Sequence, residues 1–140
     1  MYKSDFEIRR EICEIGRRIY ADGFVAANDG NISVKVDENT FFTTPTGVSK
    51  GYMTPDMICK VDGQGNLKEQ NKWKPSSEFK MHLKVYQERP DVNAVVHAHP
   101  PIATAFTVAG IELDKYILPE AVLTLGKVPT CAYGTPSTME

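Results

Sequence analysis

A chain of 140 residues, 41% hydrophobic and 24% charged, has the size and make-up of an ordinary folded domain, which excludes disordered and fibrous classes. A formal net charge of -2 without a run of Lys or Arg excludes a nucleic-acid footprint and leaves a small molecule as the expected partner. The 3 cysteines, Cys13, Cys59 and Cys131, are scattered and odd in number, which excludes a disulfide framework and reads as reduced, mostly buried packing residues.

Ser4-Asp5-Phe6-Glu7 has the form of a capping box, and Ile8, Ile12, Ile15 and Ile19 recur at helical spacing until Gly23 supplies a stop. The charges in this stretch exclude a signal peptide. No apolar run along the chain is long enough to span a membrane, so a cytoplasmic address is expected. The polar loop Ala26-Ala27-Asn28-Asp29-Gly30-Asn31 then opens into a strand in which Ile32, Val34 and Val36 alternate. Asp37-Glu38-Asn39 turns the chain and Thr40–Thr44 pairs back as a hairpin, followed by a second polar loop, Thr44-Pro45-Thr46-Gly47. Thr54-Pro55-Asp56-Met57 marks a short helical turn, and Ile58–Val61 with Leu67-Lys68 flanks a glycine-bearing turn, another hairpin.

Pro75-Ser76-Ser77-Glu78 begins a helix to about Gln87, with Phe79, Leu83 and Tyr86 as its apolar stripe and Arg89-Pro90 as its stop. Ser76 and Ser77 fall in the cap region, where backbone N–H groups lack partners and an anion is welcome. From Asn93 to His99 the chain reads as a strand with Val95, His97 and His99 on one face, ended by Pro100-Pro101. Residues two apart in a strand lie roughly 6.6 Å apart at the backbone, a gap that one metal ion held by two leaning rings can bridge. Ile102 to Ala109 reads as a short helix closed by Gly110, and Tyr116–Pro119 and Gly126–Tyr133 as loop and strand pieces. The elements together describe one α/β domain with a largely antiparallel sheet.

Taken alone, His97 and His99 are more economically two strand-end histidines that hold nothing. Each loop alone is explained by turn and cap chemistry, because Gly, Asn, Thr and Ser are what turns use. Jointly, Gly30-Asn31, Thr46-Gly47 and Ser76-Ser77 offer a nest of N–H groups and hydroxyls suited to a phosphate. Glu78 beside the serines is a helix-stabilising charge or, if it faces bound substrate, a proton carrier. His82, one turn further on, reads as a hydrogen-bonded structural histidine.

The ordered set Gly30-Asn31-x-Ser33, Thr44-Pro45-Thr46-Gly47, Ser76-Ser77-Glu78 and His97-Ala98-His99 resembles the class II aldolase/adducin family, and within it the L-fuculose-phosphate aldolase branch. The resemblance implies one three-layer α/β/α domain over residues 1–140 and a zinc enzyme that cleaves a phosphorylated ketose to dihydroxyacetone phosphate and an aldehyde. It implies His97 and His99 as two of three zinc ligands, with Gly30, Asn31, Thr46, Gly47, Ser76 and Ser77 around the phosphate and Glu78 as acid/base. It also implies a homotetramer. The family's third histidine falls past Glu140, so the resemblance implies a domain short of its C-terminal part, and a tyrosine of the aldolase branch is replaced by Leu118, with Tyr116 two positions earlier. A 4-epimerase acting on L-ribulose 5-phosphate and a non-catalytic family member are the alternative expectations.

Overall fold

The structure, a computed structural model, describes residues 3–135. Helix α1, Asp5–Ala21, starts at the expected capping box: Glu7 N–H donates to Ser4 Oγ at 3.3 Å and Ser4 N–H to Glu7 Oε2 at 2.7 Å. Both bonds satisfy donors that a helix start leaves without partners. Four strands, β1 (Asn31–Asp37), β2 (Thr40–Thr43), β3 (Cys59–Val61) and β4 (Ala94–His97), form a sheet of order β3-β2-β1-β4 with every neighbouring pair antiparallel. Helix α2, Phe79–Glu88, precedes β4; α3, Pro101–Val108, and α4, Pro119–Thr124, follow it.

The period-two alternation of the strands gives the sheet two apolar faces. On one, Ile32 and Phe42 meet Ile8, Ile12 and Cys13 of α1, joined by Met53 and Ile58. On the other, Phe41, Cys59 and Val61 meet Phe79 and Tyr86 of α2. Phe42 is fully buried, a contribution of about 1.5–3 kcal/mol for a side chain of this class. Helix, sheet and helix thus stack as the three-layer α/β/α arrangement expected, around an antiparallel sheet.

Several boundaries differ from the sequence expectation. The strand expected to reach His99 ends at His97, because its partner β1 begins at Asn31, opposite His97; the next amide in β1's direction belongs to Gly30, whose φ of +72° turns the chain away. His99 N–H instead donates to Phe24 O at 2.8 Å. Helix α2 begins at Phe79, with Glu78 as N-cap and the two serines in the turn before it. Val36, last of the alternating apolar residues, is exposed and sits at the irregularity that shifts the β1–β2 register between Lys35 and Asp37. Pro119–Thr124 is a helix, and the expected strand pieces beyond it reduce to one bridge between Leu113 and Val128. Cys13 and Cys59 are buried as expected, whereas Cys131 is exposed. Among the described residues, no helix is long and apolar enough to cross a membrane.

Candidate active site

The antiparallel register decides what converges. β1 starts, and β2 and β4 end, at the same edge of the sheet, where Asn31 lies opposite His97. The loops that follow or precede these ends therefore crowd together. Backbone bonds sew two of them: Thr46 N–H donates to Lys74 O at 2.9 Å and Ser76 N–H to Thr44 O at 3.1 Å, with Pro45 bridged to Pro75. The result is a cleft of about 570 Å³ lined by Gly30, Asn31, Thr46, Gly47, Ser76, Ser77, Glu78, His97 and His99, and also by Asn28, Asp29 and Lys50. The nine residues expected to hold phosphate, metal or the acid/base role all line this one cleft.

Gly30 is required here by geometry. Its φ is +72°, and a Cβ would lie 2.7 Å from His97 O and 2.6 Å from Val25 Cγ1. Only glycine lets the first loop pass so close to the end of β4. The serine turn is closed by Glu78 N–H donating to Ser76 Oγ at 3.3 Å, which fixes Glu78 at the head of α2. Four residues on, fully buried His82 ties α2 to the sheet: its Nδ1 is 2.7 Å from Ser33 Oγ, which is 2.7 Å from Tyr86 Oη. A chain running from the Tyr86 hydroxyl through Ser33 to an unprotonated Nδ1 satisfies both hydroxyls and that ring nitrogen, while the buried Nε2 of His82 is left without a partner. Burial pushes the His82 pKa down to about 4, helped by the His97 charge and opposed by Glu78, so at neutral pH it is an uncharged structural anchor, as its sequence context suggested.

His97 and His99 turn toward each other, ring centroids 4.8 Å apart, with their Nε2 atoms separated by 3.2 Å. Two nitrogens each 2.0–2.1 Å from a tetrahedral zinc lie about 3.3 Å apart, so the pair has the spacing of two corners of such a site as well as that of an N–H···N bond. Burial, and then the neighbouring His99 charge, lower the pKa of His97, with Glu78 opposing; the neutral, metal-binding form is favoured. Asn31 adds an outer support. Its amide nitrogen lies 3.4 Å from His97 Nδ1, while its buried Oδ1 has no partner. With the amide turned over, that oxygen accepts Nδ1–H and leaves Nε2 as a lone-pair donor, the arrangement that metal-bound histidines favour. Among the described residues no group of three or more His, Cys, Asp or Glu is placed to hold a metal ion. Leu118 and Tyr116, before α4, are both exposed and are not among the cleft residues named above.

Lys50 carries no pattern in the sequence that singles it out, yet it is 1% exposed and lines the cleft. The Ser33–His82–Tyr86 chain was likewise only half legible. Three facing polar residues on two elements leave no local signal.

The family model described as Class II Aldolase and Adducin N-terminal domain matches residues 10–140. An L-fuculose phosphate aldolase of Methanococcus maripaludis is 40% identical over 123 residues, covering 88% of this chain and 66% of that one. A 3-oxo-tetronate 4-phosphate decarboxylase of Cupriavidus necator is 31% identical over 137 residues, covering 95% and 62%. The crystal structure of YgbL from Klebsiella pneumoniae superposes with a TM-score of 0.85 at 27% identity, covering 97% of this chain and 67% of that one. The chain thus spans about two-thirds of the length of these relatives.

Proposed function

The chain belongs to the class II aldolase and adducin family, and on that premise we propose that its cleft performs zinc-dependent aldol cleavage of a phosphorylated ketose resembling L-fuculose 1-phosphate. What supports the reading is that two facing imidazoles, a carboxylate at a helix head and three small-residue loops all line one cleft. In this proposal Gly30, Asn31, Thr46, Gly47, Ser76 and Ser77 enclose the phosphate with N–H groups and hydroxyls. Binding that distal group fixes the reacting carbons relative to Glu78 and the histidines. His97 and His99 are the residues that would hold zinc, whose chemistry there is to polarise the ketose oxygens as a Lewis acid. Glu78 takes the hydroxyl proton from the fragment that departs as the aldehyde and returns a proton to the fragment that keeps the phosphate. His82, through Ser33, holds α2 and hence Glu78 at its distance from β1.

A second reading, decarboxylation of a 3-oxo sugar-acid phosphate, is favoured by the 31% identity to the Cupriavidus necator enzyme; it breaks a carbon–carbon bond beside the same kind of carbonyl. The 4-epimerase expectation draws on the same residues. Many apolar side chains beyond β4 are exposed, Ile102, Leu123 and Tyr133 among them, which supports the expectation that this surface is covered in a homo-oligomer. The experiment is cleavage of L-fuculose 1-phosphate, with L-ribulose 5-phosphate and a 3-oxo-tetronate 4-phosphate in parallel, by the zinc-loaded protein and its Glu78→Gln variant. Cleavage lost by about 100-fold or more in the variant, at unchanged zinc content, is the expected result for removal of a general acid/base. Equal rates would remove Glu78 from the chemistry.

A further inference from the structure

Lysine is almost never fully buried without a partner, and Lys50 is 1% exposed. Its ammonium donates to two backbone carbonyls, Asn28 O at 3.1 Å and Val48 O at 2.6 Å. One belongs to the loop before β1, the other to the loop after β2. The second of these loops is sewn to the serine turn by backbone bonds, as described above; the Lys50 side chain is what joins it to the first. Its own backbone is pinned from behind. A Cβ on Gly16 of α1 would lie 2.7 Å from Lys50 O, and one on Gly51 would lie 2.5 Å from the ring of Tyr20.

Among the described residues lining the cleft, Lys50 is the one Lys or Arg. Neutral carbonyls solvate an ammonium but do not neutralise it, so a buried charge held in this way is stabilised further by an anion. Burial pulls the Lys50 pKa down and Asp29, also on the cleft wall, opposes that pull. Of the two acids on the wall, Asp29 and Glu78, Asp29 alone acts on the Lys50 charge, and a phosphate monoester would bring it a further negative partner.

We propose that Lys50 is the positioning cation of the phosphate cradle, tying the Asn28–Asn31 loop to the Thr46–Val48 loop and supplying the positive charge against which a phosphate group is held. The inference rests on the reading of this cleft as a sugar-phosphate site.

The test is calorimetric titration of the full chain with inorganic phosphate, comparing wild type with Lys50→Met, Lys50→Gln, Lys50→Arg and Ser76→Ala, each checked for cooperative melting. The two neutral Lys50 variants weaken phosphate binding by about tenfold or more, the loss that follows removal of a charged hydrogen-bonding partner. Either one suffices if the other does not fold. Lys50→Arg, which keeps the charge, binds phosphate more tightly than either neutral variant. A folded neutral variant that binds like wild type overturns the proposal, and so does a folded Lys50→Arg as weak as Lys50→Met. If wild type binds no phosphate, or Ser76→Ala binds as well as wild type, the reading of the cleft itself fails, an outcome distinct from a failure of Lys50 alone.

Discussion

Gly30 and Gly47 pose the same backbone problem in different surroundings, and substituting alanine at each separates two energies. Both have φ near +70°, at +72° and +71°, where an L side chain costs about 1–2 kcal/mol. At Gly47 a Cβ meets nothing within 4 Å, so Gly47→Ala bears the backbone term alone. At Gly30 the new methyl would press on Val25 Cγ1 at 2.6 Å and on His97 O at 2.7 Å. The carbonyl cannot retreat without disturbing the Asn31–His97 pair of the β1–β4 ladder. Overpacking of this kind adds about 1–3 kcal/mol, so Gly30→Ala should lose about 2–5 kcal/mol in all. That is a large part of a domain's ordinary stability of about 5–15 kcal/mol. Urea denaturation of both variants in one buffer reads the difference directly, with equal m values showing that the transition is the same. Equal losses at the two sites would refute the close approach of the Gly30 loop to β4, and with it the convergence of loop and imidazole.

Acid should reach this fold through His82. Its folded-state pKa, about 4, lies below the ordinary 6.5, so the unfolded chain takes up the proton first. Stability is therefore complete above about pH 6.5 and falls as pH drops toward 4, by on the order of 3 kcal/mol. His97, lowered by burial and by His99, adds to the fall in the same direction. His82→Gln, which keeps a partner for Ser33 without titrating, should flatten the stability–pH curve between those limits; an unchanged slope would show that the anchor is not the acid-sensitive group. Asn31→Ala removes the amide beside His97 Nδ1 and should weaken zinc binding by about 10–100-fold, the usual effect of losing an outer-shell partner. Zinc affinity equal to wild type by competition with a chromophoric chelator would separate Asn31 from the imidazole pair.

The loops and the imidazole pair were legible because their residue types are tied to backbone requirements. Gly30 states a local geometry that the chain then adopts, and the Ser76-Ser77 and His97-Ala98-His99 stretches bring the expected side chains to the cleft although the helix starts later and the strand ends sooner than their patterns imply. The end of β4 was not legible in β4 itself. It is set by where β1 begins, a fact carried by Gly30 more than sixty positions earlier. Helix α4 escaped because Pro119-Glu120-Ala121-Val122-Leu123-Thr124 is too short to show a period. Lys50 escaped for the opposite reason: a lone lysine after a turn reads as solvated, and only the close packing of the Lys50-Gly51 turn against Gly16 and Tyr20 of α1 takes it inside. Local chemistry therefore announced which residues form the cleft walls, while the tie between those walls depended on contacts far apart in the chain.

The claim underlying all of this is that a metal-holding pair, a proton carrier and a phosphate cradle share one cleft. Crystals grown with zinc and dihydroxyacetone phosphate test it most directly. Zinc is expected about 2.0–2.1 Å from Nε2 of both His97 and His99, the phosphate enclosed by the loops of Gly30, Thr46 and Ser76, and the Glu78 carboxylate facing the carbons between them. Zinc held by one histidine or neither, or a phosphate bound outside those loops, would contradict it.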